Sequence, residues 1–160
     1  MSPVGISRRW HKPSGEIISF LEILSMIERH TLDDGRVYVG CDSQLGNALC
    51  TFATAICLHG GKNKTSTYFF IKDKTRNKSM KDLRSRIDAE VSRAMDTVFL
   101  IIEADPDVQI EMHVDIGRTA RSKTRKYVDS ILGWVNGTGI SCKIKPDAWA
   151  SASVADRHTK

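Results

Sequence analysis

Two hydrophobic periods alternate along this chain, and the order in which they do so leaves few folds open. Apolar residues recur at three- and four-residue steps between Ser14 and His30 (Ile17, Phe20, Leu21, Leu24, Ile27), which predicts a half-buried helix with Ser14 as its N-cap. Thr31-Leu32-Asp33-Asp34-Gly35 supplies a turn. Strand-like runs follow at Val37–Asp42, Cys50–Leu58 and Thr67–Lys72, with Gly60-Gly61 punctuating the last two. A helical stripe returns from about Met80 to Ala104 (Leu83, Ile87, Val91, Ala94, Met95, Val98, Ile102). Ser79 with Asp82 resembles a capping box at its start, and Asp105-Pro106 stops it. Val108, Ile110, Met112 and Val114 then alternate with Gln109, Glu111, His113 and Asp115, the pattern of a strand with one buried face. A helix over Lys123–Asn136, a short strand over Ser141–Lys145 and a small-residue helix from Ala148 to about His158 complete the order.

Three strands joined by short turns pair as an antiparallel meander, whereas strands separated by helices suit parallel crossovers. The expectation is therefore an α/β domain, a five-stranded mixed sheet with its first three strands antiparallel and helices on its faces. Residues 1–13, with two prolines, three cations and a lone Trp10, read as a leader. The division expected is a leader and helix over residues 1–35, packed on a domain over residues 36–160.

Composition narrows the setting. The longest apolar run, Val98–Ile102, is far short of the roughly 20 residues a membrane span needs, and no apolar core follows the N-terminal charges as in a secretory signal. Cys41, Cys50, Cys57 and Cys142 form no CxxC pair and read as reduced thiols, three of them inside apolar runs. A cytoplasmic protein is expected. The excess of 24 Lys and Arg over 19 Asp and Glu tilts the chain toward a polyanionic partner such as nucleic acid.

Four acids stand out by position. Asp42 ends the first of the strands, in Gly40-Cys41-Asp42-Ser43-Gln44, and Asp115 ends the fourth, in His113-Val114-Asp115-Ile116-Gly117. Glu90 borders the stripe of the long helix, and Asp156 lies in the last helix. Such carboxylates need a positive partner to stay ionised where water is scarce, and a divalent cation is one. Taken singly, each also has a plain reading. Asp42 or Asp115 suits a turn, and Glu90 suits an ion pair with Arg86 or Arg93. Asp156 suits a surface pair with Arg157, and the neighbouring Asp147 suits an N-cap.

The segments Val39-Gly40-Cys41-Asp42-Ser43-Gln44, His113-Val114-Asp115-Ile116-Gly117 and, above all, the block from Lys143 to Lys160 resemble the ribonuclease H-like YkuK family. The resemblance spans about Arg36 to Lys160, and its five-stranded mixed sheet agrees with the order read from the pattern. Cys41 stands where relatives more often carry threonine, a departure that leaves the carboxylates untouched. In the wider superfamily the catalytic acids come from the first strand, the first long helix, the fourth strand and the last helix. Carried over, these are Asp42, Glu90, Asp115 and Asp156, with Asp88 and Asp147 as close competitors. The resemblance implies a metal-dependent nuclease holding one or two Mg²⁺ or Mn²⁺ ions. Its substrate would be RNA, DNA or a hybrid, cut to a 5′-phosphate and a 3′-hydroxyl by the two-ion chemistry of phosphodiester hydrolysis. The alternatives are a module that binds nucleic acid or protein without cleaving it, and phosphoryl chemistry on a small molecule.

Cations after Asp115 suit contact with a phosphate backbone beside a metal site, or else a solvated loop and helix start. Arg118, Arg121 and Lys123 belong to a run of five cations in nine residues, Arg118–Lys126, directly after Asp115. Phosphate contacts from such a loop add affinity and little sequence preference. Lys145, Arg157, His158 and Lys160 fall in the terminal block, where any of them is a candidate for charge stabilisation. Ser43 and Gln44 suit either a substrate oxygen or a turn. His113 reads as a partner of Asp115 or as a surface residue, and the three tryptophans read as packing residues.

Overall fold

The computed structural model describes residues 9–160. Three long strands form the middle of the sheet: β3 (Gly35–Leu45), β4 (Leu49–Gly60) and β5 (Thr65–Arg76). They pair antiparallel in unbroken register from Gly35↔Gly60 to Leu45↔Cys50 and from Leu49↔Arg76 to Gly60↔Thr65. The short strands β6 (Ile110–His113) and β7 (Cys142–Lys143) add parallel beyond β3. This is the mixed α/β sheet expected, with a ribonuclease H-like order, but it has seven strands in place of five. The extra pair comes from the end of the segment read as a leader and the start of the segment read as a helix. Trp10–His11 (β1) and Ile17–Ile18 (β2) form a hairpin, and His11 pairs with Phe70 of β5. Trp10 is wholly buried against Phe20. The part of that leader over residues 1–8 lies outside the described residues.

Helix α1 spans Phe20–Leu32, with Ser19 accepting from the Glu22 N–H. Ser14 does not begin it, because Ile17 and Ile18 are spent in the hairpin. Helix α2 spans Leu83–Ala104 and is capped by Asp82, whose carboxylate accepts from the Ser85 N–H at 3.2 Å, so Ser79 does not cap it. Helix α3 (Val128–Gly137) follows a 3₁₀ turn over Arg125–Tyr127. The last helix starts at Ala150, runs as a π-helix to Val154 and closes with a 3₁₀ turn over Ala155–His158. Asp147 therefore caps nothing.

The sheet has two unlike faces. One carries Val37, Val39, Cys41, Phe52, Ile56, Phe69 and Ile71 against the helices α1 and α2. The other carries Ala55 and Cys57 against the last helix, with Tyr38, Tyr68 and Trp149 at its margin. There the backbone of the last helix rests directly on Gly40, where an added Cβ would stand 2.5 Å from Ser151 N and 2.7 Å from Ala150 C. Gly40→Ala is accordingly expected to cost about 1–3 kcal/mol by overpacking, read from urea unfolding. An unchanged midpoint would mean that the last helix is free to shift. Trp134, expected to pack, is 38% exposed.

Candidate functional site

Alternation along β3 divides the work of two neighbours. Cys41 and Ser43 face α2, whereas Asp42 faces the last helix. Ser43 Oγ donates to Glu90 Oε2 at 2.6 Å, fixing the helix carboxylate at the end of the strand. On the other face, Asp42 is within hydrogen-bonding reach of Asp156. Asp115, just past β6, is close enough for its charge to act on both Asp42 and Glu90. Strand β3, helix α2, the segment after β6 and the last helix thus each bring one acid to one end of the sheet. The two competitors lie elsewhere: Asp88 is bonded to Arg84 at 2.9 Å, and Asp147 is exposed.

The electrostatics of this cluster are unfavourable without a cation. Burial pushes the Asp42 carboxyl up to about 7, helped by the hydrogen bond with Asp156 and the charge of Asp115. Burial also pushes Glu90 up to about 8; Asp42 and Asp115 add to this, while Ser43 and Arg86 oppose it. Asp115 Oδ1 is enclosed and lacks a hydrogen-bond partner; the Lys145 ammonium stands 3.2 Å away as its counter-charge. Among the described residues, no three His, Cys, Asp or Glu side chains form a ready-made metal cage. The oxygens on offer are those that hard divalent cations accept, one or two at a time with water or substrate completing the shell.

An open cleft of about 640 Å³ lies beside the acids. Asp42, Ser43, Glu90 and Asp115 line one wall, and the loop Gly117–Thr124 and Lys145 line the other. That loop is tied by Thr124 Oγ1, which accepts from the Gly117 N–H at 3.0 Å and shares a 2.8 Å hydrogen bond with Ser122. Arg121 and Lys123 are exposed on the cleft's rim and make no ion pair among the described residues, whereas Arg118 pairs with Asp129. Arg86 also lines the cleft, held by the Met80 carbonyl. The sequence pattern marks Arg86 only as a neighbour of Glu90. Its position one helical turn before that residue is the signal that places it on the cleft side.

Other expectations are relocated. Arg157 does not reach the cleft; it borders a separate cavity of about 380 Å³ with Tyr68 and Trp149. Lys160 pairs with Asp156 at 3.6 Å; Ser43 and Gln44 lie within β3 and form no turn, Gln44 accepting from Thr159 at 3.4 Å. His158 stacks on Phe70 at 3.6 Å and hydrogen-bonds with Tyr68. His113 is neither a partner of Asp115 nor on the surface. It is buried, its Nδ1 accepting from the Ala150 N–H at 3.0 Å and its Nε2 donating to Glu111 at 2.9 Å. Burial holds its pKa below the ordinary value, which keeps Nδ1 free to accept. His113 thereby anchors the first turn of the helix that carries Asp156.

Comparison with known proteins identifies the family of the chain. A family model described as ribonuclease H-like matches residues 19–160. An uncharacterized protein of Bacillus subtilis, YkuK, is 25% identical over 162 residues, covering 89% of this chain and 92% of its own. No solved structure matches.

Proposed function

The chain belongs to the ribonuclease H-like family, and on that premise we propose that it is a metal-dependent nuclease acting on phosphodiester bonds of RNA, DNA or a hybrid. The observation that carries the reading is the meeting of Asp42, Glu90, Asp115 and Asp156, two of them with strongly raised pKa values, beside a cation-rimmed cleft. An all-carboxylate donor set, in which Asp115 Oδ1 is buried with no hydrogen bond and only the Lys145 ammonium at 3.2 Å as counter-charge, fits a hard divalent ion. Asp42 and Asp115 would hold Mg²⁺ or Mn²⁺, with Glu90 and Asp156 each completing one side. When bound, such an ion supplies Lewis-acid stabilisation and an activated water.

The remaining roles fall to the chain itself. Ser43 orients Glu90 through its hydrogen bond. Arg86, Arg118, Arg121 and Lys123 receive the phosphates flanking the reacting one, and Lys145 is placed to meet charge developing on the scissile phosphate once it leaves Asp115. His113 positions the last helix. Four free thiols suit a reducing compartment, so we place the protein in the cytoplasm. No helix among the described residues is long and apolar enough to cross a membrane.

Calorimetric titration with Mn²⁺ tests the reading. The wild type is expected to bind one or two ions, and Asp42→Asn and Asp115→Asn are each expected to lose the heat signal. A labelled panel of RNA, DNA and hybrid strands then reports cleavage. Absence of binding in the wild type, with oligonucleotide present, would leave the acids structural. The internal cation at Asp115 favours the second reading in that event, a binding module without catalysis.

A further inference from the structure

The strand β5 carries a charge pattern that the cleft does not use. Lys72, Lys74 and Arg76 alternate with Asp73 and Thr75, so the three cations share one face of the strand. Asp73 and Thr75 point to the opposite face, where Arg93 binds both. All three cations are exposed, and no ion pair among the described residues involves any of them. Successive members stand about 6.6 Å apart along the strand, comparable to the separation of phosphates along an extended polynucleotide.

The register connects this row to the acids. Asp42 pairs with Ala53 and Ala53 with Lys72, so Asp42 and Lys72 lie in one cross-strand row on one face, about 9.6 Å apart. The next rows are Gln44, Thr51 and Lys74, then Leu49 and Arg76. The C-terminal turn lies over the β3 end of these rows, with Asp156 against Asp42, Thr159 bonded to Gln44 and His158 seated on Phe70. What remains open beyond that turn is the row Lys72, Lys74 and Arg76 itself, which begins one strand beyond the buried Ala53 that separates it from Asp42.

We infer that the outward face of β5 binds the phosphate backbone of a single-stranded stretch of nucleic acid running from the acid cluster along Lys72, Lys74 and Arg76. The inference deepens the nuclease reading and rests on it for the location of the reacting phosphate. A linear row of cations engages one backbone at a time, which suits a single strand better than the two backbones of a duplex. The competing account is that the lysines guard an open sheet edge, because β1 pairs with β5 only at Phe70. Three in a row repel one another within a screening length, a cost that a polyanion removes.

The test is fluorescence anisotropy of a labelled single-stranded oligonucleotide and of a blunt duplex of the same sequence, in EDTA, across a salt series. Lys72→Gln, Lys74→Gln and Arg76→Gln combined is expected to weaken single-strand binding roughly tenfold and to lower the log–log salt slope by about 2, from three lost contacts. Duplex binding should change less. The charge-keeping K72R/K74R/R76K variant should retain the wild-type slope, and thermal melting checks that each variant folds. An unchanged affinity and slope in the glutamine variant overturns the inference. So does self-association by light scattering with binding intact, which assigns the row to edge protection, and so does equal loss in the charge-keeping variant. Because no cleavage occurs in EDTA, the two readings fail separately. A lowered slope in a protein that cuts nothing keeps the strip and removes the nuclease, and an unchanged slope in an active enzyme does the reverse.

Discussion

Arg93→Ala is expected to lower the folding stability by about 3–5 kcal/mol. Arg93 and Asp73 are each about 10% exposed and are joined by hydrogen bonds of 2.9 Å and 2.6 Å in a two-pronged pair. The guanidinium also donates to the Ala89 carbonyl and to Thr75, and it lies 3.7 Å over the ring of Phe52. Removing it leaves the Asp73 carboxylate buried and unpaired, a greater cost than the net worth of the pair. Replacing both partners with apolar residues, R93M with D73L, should therefore harm less than R93A alone. Urea unfolding of the two variants checks this. A loss under about 1 kcal/mol for R93A would mean that Asp73 finds water, and that α2 and β5 are packed more loosely than the pair implies.

Glu90→Gln is expected to change how stability depends on pH. An acid whose pKa is raised by folding holds its proton more tightly in the folded chain. That stabilisation is complete below its unfolded value, near 4.5 for Glu90, and is lost as pH rises through the folded values of about 7 for Asp42 and about 8 for Glu90. Metal-free protein should thus lose stability steadily from about pH 5 to about pH 8.5. E90Q removes one contribution to that loss and should exceed the wild type by about 2–4 kcal/mol at the upper end, since a tenfold change in proton affinity is worth about 1.4 kcal/mol. Mn²⁺ should raise the melting temperature of the wild type at the upper end and do little at the acidic end. Superimposable pH profiles for wild type and E90Q, without metal, would mean that Glu90 is ionised at no cost and sits in water.

Periodicity makes the middle of the molecule legible. The alternation of Val37, Val39 and Cys41, and the stripe from Leu83 to Ile102, translate directly into a strand and a helix that share a core. The ends are harder, for physical reasons. Ile17 fits a helical stripe as well as a strand, and only the partner strand holding Trp10 decides between them. The final helix contains five residues of π-helix over Ala150–Val154, a geometry that no local pattern announces. Asp42 and Asp115 stand out by their places at two strand ends, although each taken alone also suits a turn. Glu90 and Asp156 need the family resemblance to separate them from Asp88 and Asp147. The tie from His113 to Ala150 is beyond reach because it joins residues 37 positions apart through a backbone N–H.

Asp42 and Ser43 are adjacent in the chain yet serve opposite sides of the sheet. A slip of β3 by one residue would exchange them, setting a hydroxyl against Asp156 and a carboxylate against Glu90. Fidelity of the site is thus a matter of alignment, enforced along the whole β3–β4 ladder from Gly35 to Leu45. Gly40 acts as the tooth of that ratchet, since it is the only glycine in β3 beneath the backbone of the last helix and any other residue carried there would push the helix away. Misaligned chains therefore lose the last helix and the acid cluster together, so a partly correct site has no stable conformation in which to exist.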